Sequence, residues 1–385
     1  MRVFFLSYAH ERGIRADAGG FRKLWEVARA LARCGVEVQV LYPDLPGHAP
    51  LTDVPCRAYP VLDLPFLRPV TAYASMLASA IRLGLGNRPD AVYFRSGINV
   101  LPLALKTVFG AKAVLEVNAD VSEFFRVEGI GGLRPWCAGL AERTNARRSD
   151  LIVTLTPGLK RMLVGRYDVP EAKVTVVPSG TDTEHFVPMD QAGARRRLGL
   201  PEKGPVVGFV GLLYRHQGVA TLLEAIAALR HTVPGLLGLI VGDGVMRAEW
   251  ESLARRLGVA DLVRFTGQVS YRDVPALLNA MDVVVTPFTA DRGETSPFKL
   301  FDAMACGRPV VSSDIPSVRA YADDSKAVVL VPPDDPGELA QALQRLLADP
   351  ARRADLGRLG RDYVAAHHSW DHIGRRLASM LETVA

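Results

Sequence analysis

A carboxylate, a lysine and a second carboxylate follow one another at short spacing in the last third of the sequence. Lys299 comes five residues after Glu294, and Asp302 comes three residues after Lys299. Ser296 and Pro297 are typical of a helix start, and the backbone N–H groups of such a start bind phosphate. Carboxylates accept hydrogen bonds from sugar hydroxyl groups. The stretch therefore predicts a site for a nucleotide-sugar.

A serine and a proline in this order are also typical of a plain helix cap with no ligand. The interpretation of residues 294–302 as a ligand site thus depends on the elements around them. A buried strand is predicted at 281–287 and another at 310–312, with a helix over 294–305 between them. In a doubly wound sheet, the loop between such a strand and helix meets the ligand.

The first part of the chain alternates predicted strands and helices. A strand is predicted at 3–7, a helix at 21–34 and a second strand at 36–42, and the pair Gly19 and Gly20 lies directly before the helix. A glycine pair at this position either forms a plain turn or exposes backbone N–H groups to a ligand. The alternation continues to residue 177 and predicts a parallel sheet covered on both faces.

The second part repeats this plan from a strand at 206–210 onward. Between the two parts, residues 186–205 are polar, basic and rich in turn residues. Three consecutive arginines at 195–197 are typical of a solvated helix face. The sequence therefore predicts an α/β protein with two Rossmann-like, doubly wound domains, residues 1–185 and 186–365, with the ligand between them.

Composition narrows the class of protein further. The chain has 385 residues, 49% of them apolar and 23% charged, as in ordinary globular proteins. The net charge of +5 suits an anionic ligand or an anionic membrane surface, whereas no clustered basic stripe points to nucleic acid.

The four cysteines form no C-x-x-C pair, which indicates a reducing compartment. No apolar run is long enough for a membrane span, so we expect a cytoplasmic location.

The run from 296 to 311, with Glu294 ahead of it, resembles the E-x7-E region of the family four retaining glycosyltransferases, which have the GT-B fold. Three further segments are similar to that family, at 115–118, 176–186 and 209–211. Ser369 and Trp370 precede a helix that in the family packs back across the N-terminal domain. The resemblance thus implies two Rossmann-like domains around a cleft, with residues 366–385 belonging to the first.

The resemblance also implies roles for individual residues. Glu294 would bind hydroxyl groups of the donor sugar, and Asp302 would hold the ribose, although it is one methylene shorter than the family's glutamate. The catalytic residues implied are Glu294, Lys299 and Arg215. The donor-binding residues implied are Gly19, Gly20, Gly211, Gln217, Gly242, Ser296, Phe298 and Asp302. Glu116 and Asn118 would lie on the acceptor side.

The loop after residue 210 departs from the family pattern. Many members carry an arginine and a lysine there that bind the diphosphate, but this chain has Leu212 and Gln217 at those positions. Arg215 and His216 lie in the same loop and can replace the missing charge. Lys299 can also replace it, so we expect Lys299 and the helix start to carry much of the diphosphate charge.

The resemblance implies front-face transfer assisted by the leaving phosphate, with retention and without a metal. No D-x-D motif occurs in the chain, and the histidines show no metal-ligand spacing beyond His367, His368 and His372, which we interpret as structural. No cofactor is expected besides the nucleotide-diphosphate sugar, which is the donor substrate. The acceptor is expected to be a lipid-linked or polysaccharide glycan.

Two other functions remain open. A nucleotide-sugar epimerase of the same fold needs acid and base groups in the first domain, where His10, Glu11, Asp17 and Glu116 are candidates. A binding protein without turnover is consistent with the missing cations at Leu212 and Gln217.

Contact with the inner face of a membrane is a further hypothesis. Arg134, Trp136, Arg143, Arg147 and Arg148 combine basic and aromatic side chains, and residues 70–82 form a second candidate segment. Such side chains are also common on ordinary protein surfaces.

Overall fold

The computed structural model describes residues 1–7, 19–46, 54–62, 64, 67–121, 125, 131–294 and 296–384. Contacts between residues divide the chain into two compact units. Unit 1 consists of Met1–Ser179, Glu294–Ser296 and Trp370–Ala385, and unit 2 consists of Gly180–Gly293 and Pro297–Ser369. Each unit is an α/β structure built around one parallel sheet.

The sheet of unit 1 has seven strands in the order β3-β2-β1-β4-β5-β6-β7. They are β1 Arg2–Leu6, β2 Glu37–Asp44, β3 Cys56–Pro60, β4 Ala91–Arg95, β5 Lys112–Val117, β6 Leu151–Thr154 and β7 Val174–Val176. The strands pair in parallel. The central strands are continuous apolar runs because helices cover both faces of the sheet.

The sheet of unit 2 has six strands in the order β10-β9-β8-β11-β12-β13, again paired in parallel. They are β8 Val206–Val210, β9 Leu237–Val241, β10 Val263–Phe265, β11 Val283–Thr286, β12 Val310–Ser313 and β13 Val328–Val331. This sheet also repeats the strand order of a doubly wound fold.

The described helices connect the strands in both units. They are α1 Gly19–Arg33, α2 Leu67–Gly86, α3 Pro102–Phe109, α4 Arg134–Arg148, α5 Pro157–Tyr167, α6 Gln191–Arg197, α7 Val219–Leu229, α8 Arg247–Arg256, α9 Val274–Ala280, α10 Phe298–Ala305, α11 Pro316–Ser325, α12 Pro336–Ala348, α13 Pro350–His367 and α14 Trp370–Val384. Among them, none is both long and apolar enough to cross a membrane.

Each sheet separates two apolar cores. In unit 1, α2, α3 and α5 pack on one face with residues such as Met76 and Leu105, and α1 and α14 pack on the other with Leu31 and Leu377. Helix α14 approaches α1 closely at Gly374, where a Cβ atom would lie 2.7 Å from the carbonyl oxygen of Ala30. The C-terminal helix is therefore fixed to the first sheet, as the family resemblance implied.

Two local predictions are wrong. Helix α10 begins at Phe298 with Pro297 as its N-cap and without a side-chain cap, so Ser296 does not cap it. The arginines at 195–197 are not all solvated either. Arg196 and Arg197 are exposed on α6, but Arg195 is buried.

Arg195 is stable in its buried position because its guanidinium forms several hydrogen bonds and an ion pair. It donates to the carbonyl oxygen of Ala280 at 2.9 Å and to those of Glu202 and Gly204 at 3.1 and 3.0 Å. It also forms an ion pair with Asp282 at 2.8 Å. Asp282 in turn accepts the N–H of Val206 at the start of β8, so this pair joins α6 to the central strands of unit 2.

We expect Arg195→Leu to lower the free energy of unfolding by about 3 kcal/mol, because it leaves the Asp282 carboxylate, whose side chain is only 14% exposed, without its cation. Arg196→Leu is the matched control, since that side chain is 57% exposed and its loss costs less than about 1 kcal/mol. Urea unfolding of both variants measures the difference. Equal stability of the two variants would show that the ion pair does not hold α6.

Candidate functional site

Several of the predicted site residues follow strands next to the point where the strand order of their unit reverses. In unit 1 this position lies between β1 and β4, and in unit 2 it lies between β8 and β11. Doubly wound sheets bind their ligands at the carboxyl ends of the strands at this point. Gln217 lies in the loop after β8 and Asn118 follows β5 directly, whereas Lys299 and Gly19 belong to the first turns of α10 and α1, the helices that follow β11 and β1.

The Lys299 side chain occupies the space beside the end of β8. A Cβ atom on Gly211 would overlap the end of the Lys299 side chain, and the φ of +155° also disfavours any residue other than glycine. The Lys299 ammonium donates a hydrogen bond to Oε1 of Gln217. It also lies 5.2 Å from the ring centre of Phe209 and 5.8 Å from that of Phe298. The lysine is thus held by an amide and two aromatic faces.

The surroundings of Lys299 favour the neutral form of its side chain. Burial, and next the nearby charge of Arg292, lower the pKa of Lys299 to about 7, although the carboxylate of Asp302 acts in the opposite direction. In the described part of the chain, Lys299 forms no ion pair with a carboxylate. A cation whose direct partners are all neutral binds an anion favourably, because the anion neutralises its charge.

The other cation predicted for this loop has a different environment. The Arg215 side chain is largely exposed and pairs with Asp291 at 3.7 Å. His216 stacks on Tyr214 with 5.9 Å between ring centres. The geometry therefore favours Lys299 over Arg215 as the cation inside the site.

Glycines bring the carboxyl ends of β8 and β9 together. A Cβ atom on Gly242 would overlap the carbonyl oxygen of Gly211, and the Gly242 N–H donates to the carbonyl oxygen of Gly267 at 3.1 Å. Phe298 and Lys299 form the first turn of α10, where backbone N–H groups have no acceptor within the helix. Gly211 after β8 and Lys299 in the first turn of α10 therefore lie together at the switch point of unit 2.

Asp302 is fixed on α10 by a residue that sequence reasoning missed. Its Oδ1 accepts a hydrogen bond from Oγ1 of Thr181 at 2.5 Å. The Thr181 N–H donates to the carbonyl oxygen of His368 at 2.8 Å, and the His368 ring stacks on Phe301 at 4.0 Å. The buried His368 therefore packs against α10.

Glu116 forms the centre of a buried charge cluster in unit 1. It accepts hydrogen bonds from Nζ of Lys23 and from the hydroxyl of Tyr93, both at 2.6 Å. Burial opposes its ionisation, but the charges of Lys23 and Arg95 and these hydrogen bonds outweigh burial and lower the pKa of Glu116 to about 2. Its carboxylate is fully buried and ionised at neutral pH, which makes it an anchor for Lys23.

Asn118 lies next to this cluster, at the end of β5. Its Oδ1 accepts a second hydrogen bond from Nζ of Lys23 at 3.0 Å. Lys23 comes from α1, which begins at the predicted pair Gly19 and Gly20. Lys23 thus links the start of α1 to the predicted acceptor-side residues Glu116 and Asn118.

Glu294 lies with unit 1, at the start of α5. Its Oε2 accepts a hydrogen bond from Oγ1 of Thr156 at 2.7 Å, and Thr156 caps α5 by accepting the N–H of Leu159. Gly158 leaves the room that the Glu294 carboxyl group fills. Ser296 is buried in the same unit.

Some predicted residues cannot be placed. His10, Glu11 and Asp17, the acid and base candidates of the epimerase hypothesis, lie outside the described residues. Within the described ranges, no group of three or more histidine, cysteine, aspartate or glutamate side chains is arranged to hold a metal ion.

Lys23, Thr156, Thr181 and Arg292 are site residues that sequence reasoning missed. Thr181 carried a signal, because it lies within the family-like segment 176–186. Lys23 and Thr156 have partners far away in the sequence, and Arg292 contacts Phe288 and Ser317, so no local motif marks these three residues.

Two parallel sheets, each with candidate ligand residues at its switch point, define the GT-B class of two-domain proteins. The sequence profile described as Glycosyltransferase Family 4 matches residues 19–185, and the profile described as Glycosyl transferases group 1 matches residues 204–349. The chain belongs to this family of glycosyltransferases.

Curated relatives come from the same family. A D-inositol 3-phosphate glycosyltransferase of Stackebrandtia nassauensis is 34% identical over 247 residues, which is 62% of this chain and 55% of the relative. A 2-deoxystreptamine glucosyltransferase of Streptomyces kanamyceticus is 30% identical over 59% of this chain and 60% of the relative. The matches span little more than half the length of these relatives.

Solved structures share the fold over the whole chain. Sucrose-phosphate synthase from Thermosynechococcus elongatus superposes with a TM-score of 0.80 at 23% identity, covering 100% of this chain and 98% of that one. HepE from Anabaena, solved in complex with UDP, superposes with a TM-score of 0.78 at 19% identity, covering 100% of both chains. These likenesses establish the fold.

We expect Lys299→Ala to lower glycosyl transfer by at least about tenfold, because it removes the cation beside Gln217. Arg215→Ala is the matched control and changes the rate by less than about threefold, because an exposed, paired arginine contributes little. Initial rates at saturating acceptor measure both variants. Activity of Lys299→Ala equal to the parent's would remove Lys299 from the site.

Proposed function

We propose that the protein transfers a sugar from a nucleotide-diphosphate sugar to an acceptor hydroxyl, with retention of anomeric configuration and without a metal. The observation that carries the proposal is the Lys299 ammonium, which lies at the switch point of unit 2 with an amide as its direct partner. HepE, which has the same fold, has been solved with UDP-glucose as well as with UDP. A nucleotide-sugar is the anionic ligand that best suits such a site.

Unit 2 would bind the nucleotide diphosphate. The Lys299 ammonium and the first N–H groups of α10 neutralise the diphosphate, which becomes more negative as the bond to the sugar breaks. Asp302, whose orientation is fixed by Thr181, accepts the ribose hydroxyls. Glu294, which belongs to unit 1 and whose orientation is fixed by Thr156, would accept hydroxyls of the transferred sugar.

The reaction would proceed on one face of the sugar. The bond between the anomeric carbon and the diphosphate oxygen breaks, and the acceptor oxygen bonds to the same face of that carbon. The acceptor's proton passes to the departing phosphate oxygen, so that charge and atoms balance. Glu116, the buried carboxylate at the end of β5, is a poor base for this step because its pKa is about 2.

Unit 1 would bind the acceptor through the groups at the ends of β4 and β5. Lys23 and Arg95 carry two positive charges beside the single negative charge of Glu116. This excess favours an acceptor that carries a phosphate, such as a lipid-linked glycan or a phosphorylated sugar. The inositol phosphate in the name of one relative is an acceptor class of this kind.

A donor and acceptor panel tests this function. The protein is incubated with uridine, guanosine, adenosine and thymidine diphosphate sugars, with and without lipid and polysaccharide acceptor fractions. We expect release of nucleoside diphosphate only when an acceptor is present, and a product with the donor's anomeric configuration. An altered donor sugar without acceptor would instead identify an epimerase, and binding without turnover a binding protein.

We further propose that unit 1 contacts a membrane through α4 and the residue before it. Leu133, Trp136 and Leu140 are 78%, 68% and 52% exposed and lie three and four residues apart, so they share one helix face. Arg134 and Arg143 are exposed on the same helix. Exposed apolar side chains next to arginines suit an anionic lipid surface. In the candidate segment at 70–82, Val70 is also exposed.

Trp136→Ser combined with Leu140→Ser should reduce co-sedimentation with anionic phosphatidylglycerol vesicles at low salt at least about fivefold. Val245→Ser is the control, because Val245 is equally exposed but belongs to unit 2. Failure of the parent protein to sediment with the vesicles, or equal sedimentation of the double variant, would refute the membrane contact.

A further inference from the structure

The loop after β8 lacks both cations that the resemblance leads us to expect. Leu212 is an exposed apolar residue, and Gln217 is a neutral residue that is only 4% exposed. A nucleotide diphosphate held in this loop would therefore meet no charge from positions 212 and 217. The charge that binds it has to come from another segment.

The Lys299 ammonium lies at the end of the Gln217 side chain. The hydrogen bond joins Nζ of Lys299 directly to Oε1 of Gln217. A lysine at position 217 would carry its own ammonium close to that point. The cation therefore lies where a lysine at position 217 would place it, but it comes from α10. The neutral Gln217 accepts a hydrogen bond from the Lys299 ammonium, whereas a lysine at position 217 would repel it.

A second cation lies near Lys299. Arg292 belongs to the loop between β11 and α10, where its guanidinium lies 3.8 Å from the ring centre of Phe288 and donates to Oγ of Ser317 at 3.4 Å. Its loop lies against the loop of Gln217, because the N–H of Thr289 donates to the carbonyl oxygen of His216 at 3.3 Å, and the charge of Arg292 lowers the pKa of Lys299. Like charges in one part of a unit repel each other, and a bound anion removes the repulsion.

We propose that Arg292 and Lys299 together neutralise the donor diphosphate in this protein, and that Gln217 is the positioning residue that holds the Lys299 ammonium. This inference rests on the proposed function, in which the ligand of unit 2 is a nucleotide-diphosphate sugar. The diphosphate-binding charge has moved from the loop after β8 to the segment after β11.

The remaining charged groups around Lys299 support this assignment. Asp302 on α10 attracts the ammonium but is hydrogen-bonded to Thr181. Arg215, in the loop after β8, is exposed and paired with Asp291. Arg292 and Lys299 are therefore the cations that the described geometry places inside this part of unit 2.

Binding of free nucleoside diphosphates, compared with the matching nucleosides, tests the inference by calorimetry. The probes are UDP, GDP, ADP and dTDP together with uridine, guanosine, adenosine and thymidine. Arg292→Gln and Lys299→Gln each should weaken binding of the preferred diphosphate at least about tenfold and leave nucleoside binding within about twofold. The double variant Gln217→Lys with Lys299→Gln returns the ammonium to the loop and should recover diphosphate affinity to within about threefold of the parent. Arg358→Gln is the control, because Arg358 is an exposed arginine of unit 2 that pairs with Asp355 and Asp362 on α13, and it should stay within about twofold.

The outcomes separate the two proposals. If the parent binds no nucleoside diphosphate, the proposed function fails and this inference fails with it. If the parent binds one but Arg292→Gln and Lys299→Gln bind it as tightly, only the inference is overturned. A double variant that binds no better than Lys299→Gln would refute the positioning role of Gln217. Lys299→Met repeats the test if Lys299→Gln does not fold.

Discussion

The hydrogen bond between the Lys299 ammonium and the Gln217 amide is the interaction on which the proposed ligand site of unit 2 depends. It places a cation at the carboxyl end of β8 with an amide as its direct partner. The absence of a side chain at Gly211 makes this position available, and Gly242 brings β9 against the same point. An anion that arrives there exchanges water for a preorganised cation and the first turn of α10, which is how a phosphate site gains affinity.

Unit 1 uses charge in a different way. There the fully buried Glu116 carboxylate is neutralised by Lys23 and positions that lysine, and Arg95 adds a second positive charge at the end of the sheet. Both units therefore have cations at their switch points. In unit 2 an amide holds the cation, and in unit 1 a buried ion pair holds it. This is consistent with two ligands that both carry phosphate.

Much of the fold was predictable from the sequence, because parallel strands buried on both faces are continuous apolar runs. The elements that were not predicted lack such patterns. Helix α4 buries Glu142 and Asn145 and exposes Trp136, which reverses the usual amphipathic order. Edge strand β3 buries only Tyr59. In the site, Lys299 and Asp302 lie in one recognisable stretch, whereas their partners are brought from distant positions by folding.

Proton uptake on donor binding tests the central claim most directly, because the pKa of Lys299 is about 7 without ligand and a bound diphosphate raises it. Calorimetry at pH 8 with the preferred nucleotide-sugar, without acceptor and in two buffers of different ionisation enthalpy, measures the protons taken up. Such a donor has no group that titrates near this pH. We expect uptake of about one proton by the parent and none by Lys299→Gln. Binding by the parent without proton uptake would contradict it.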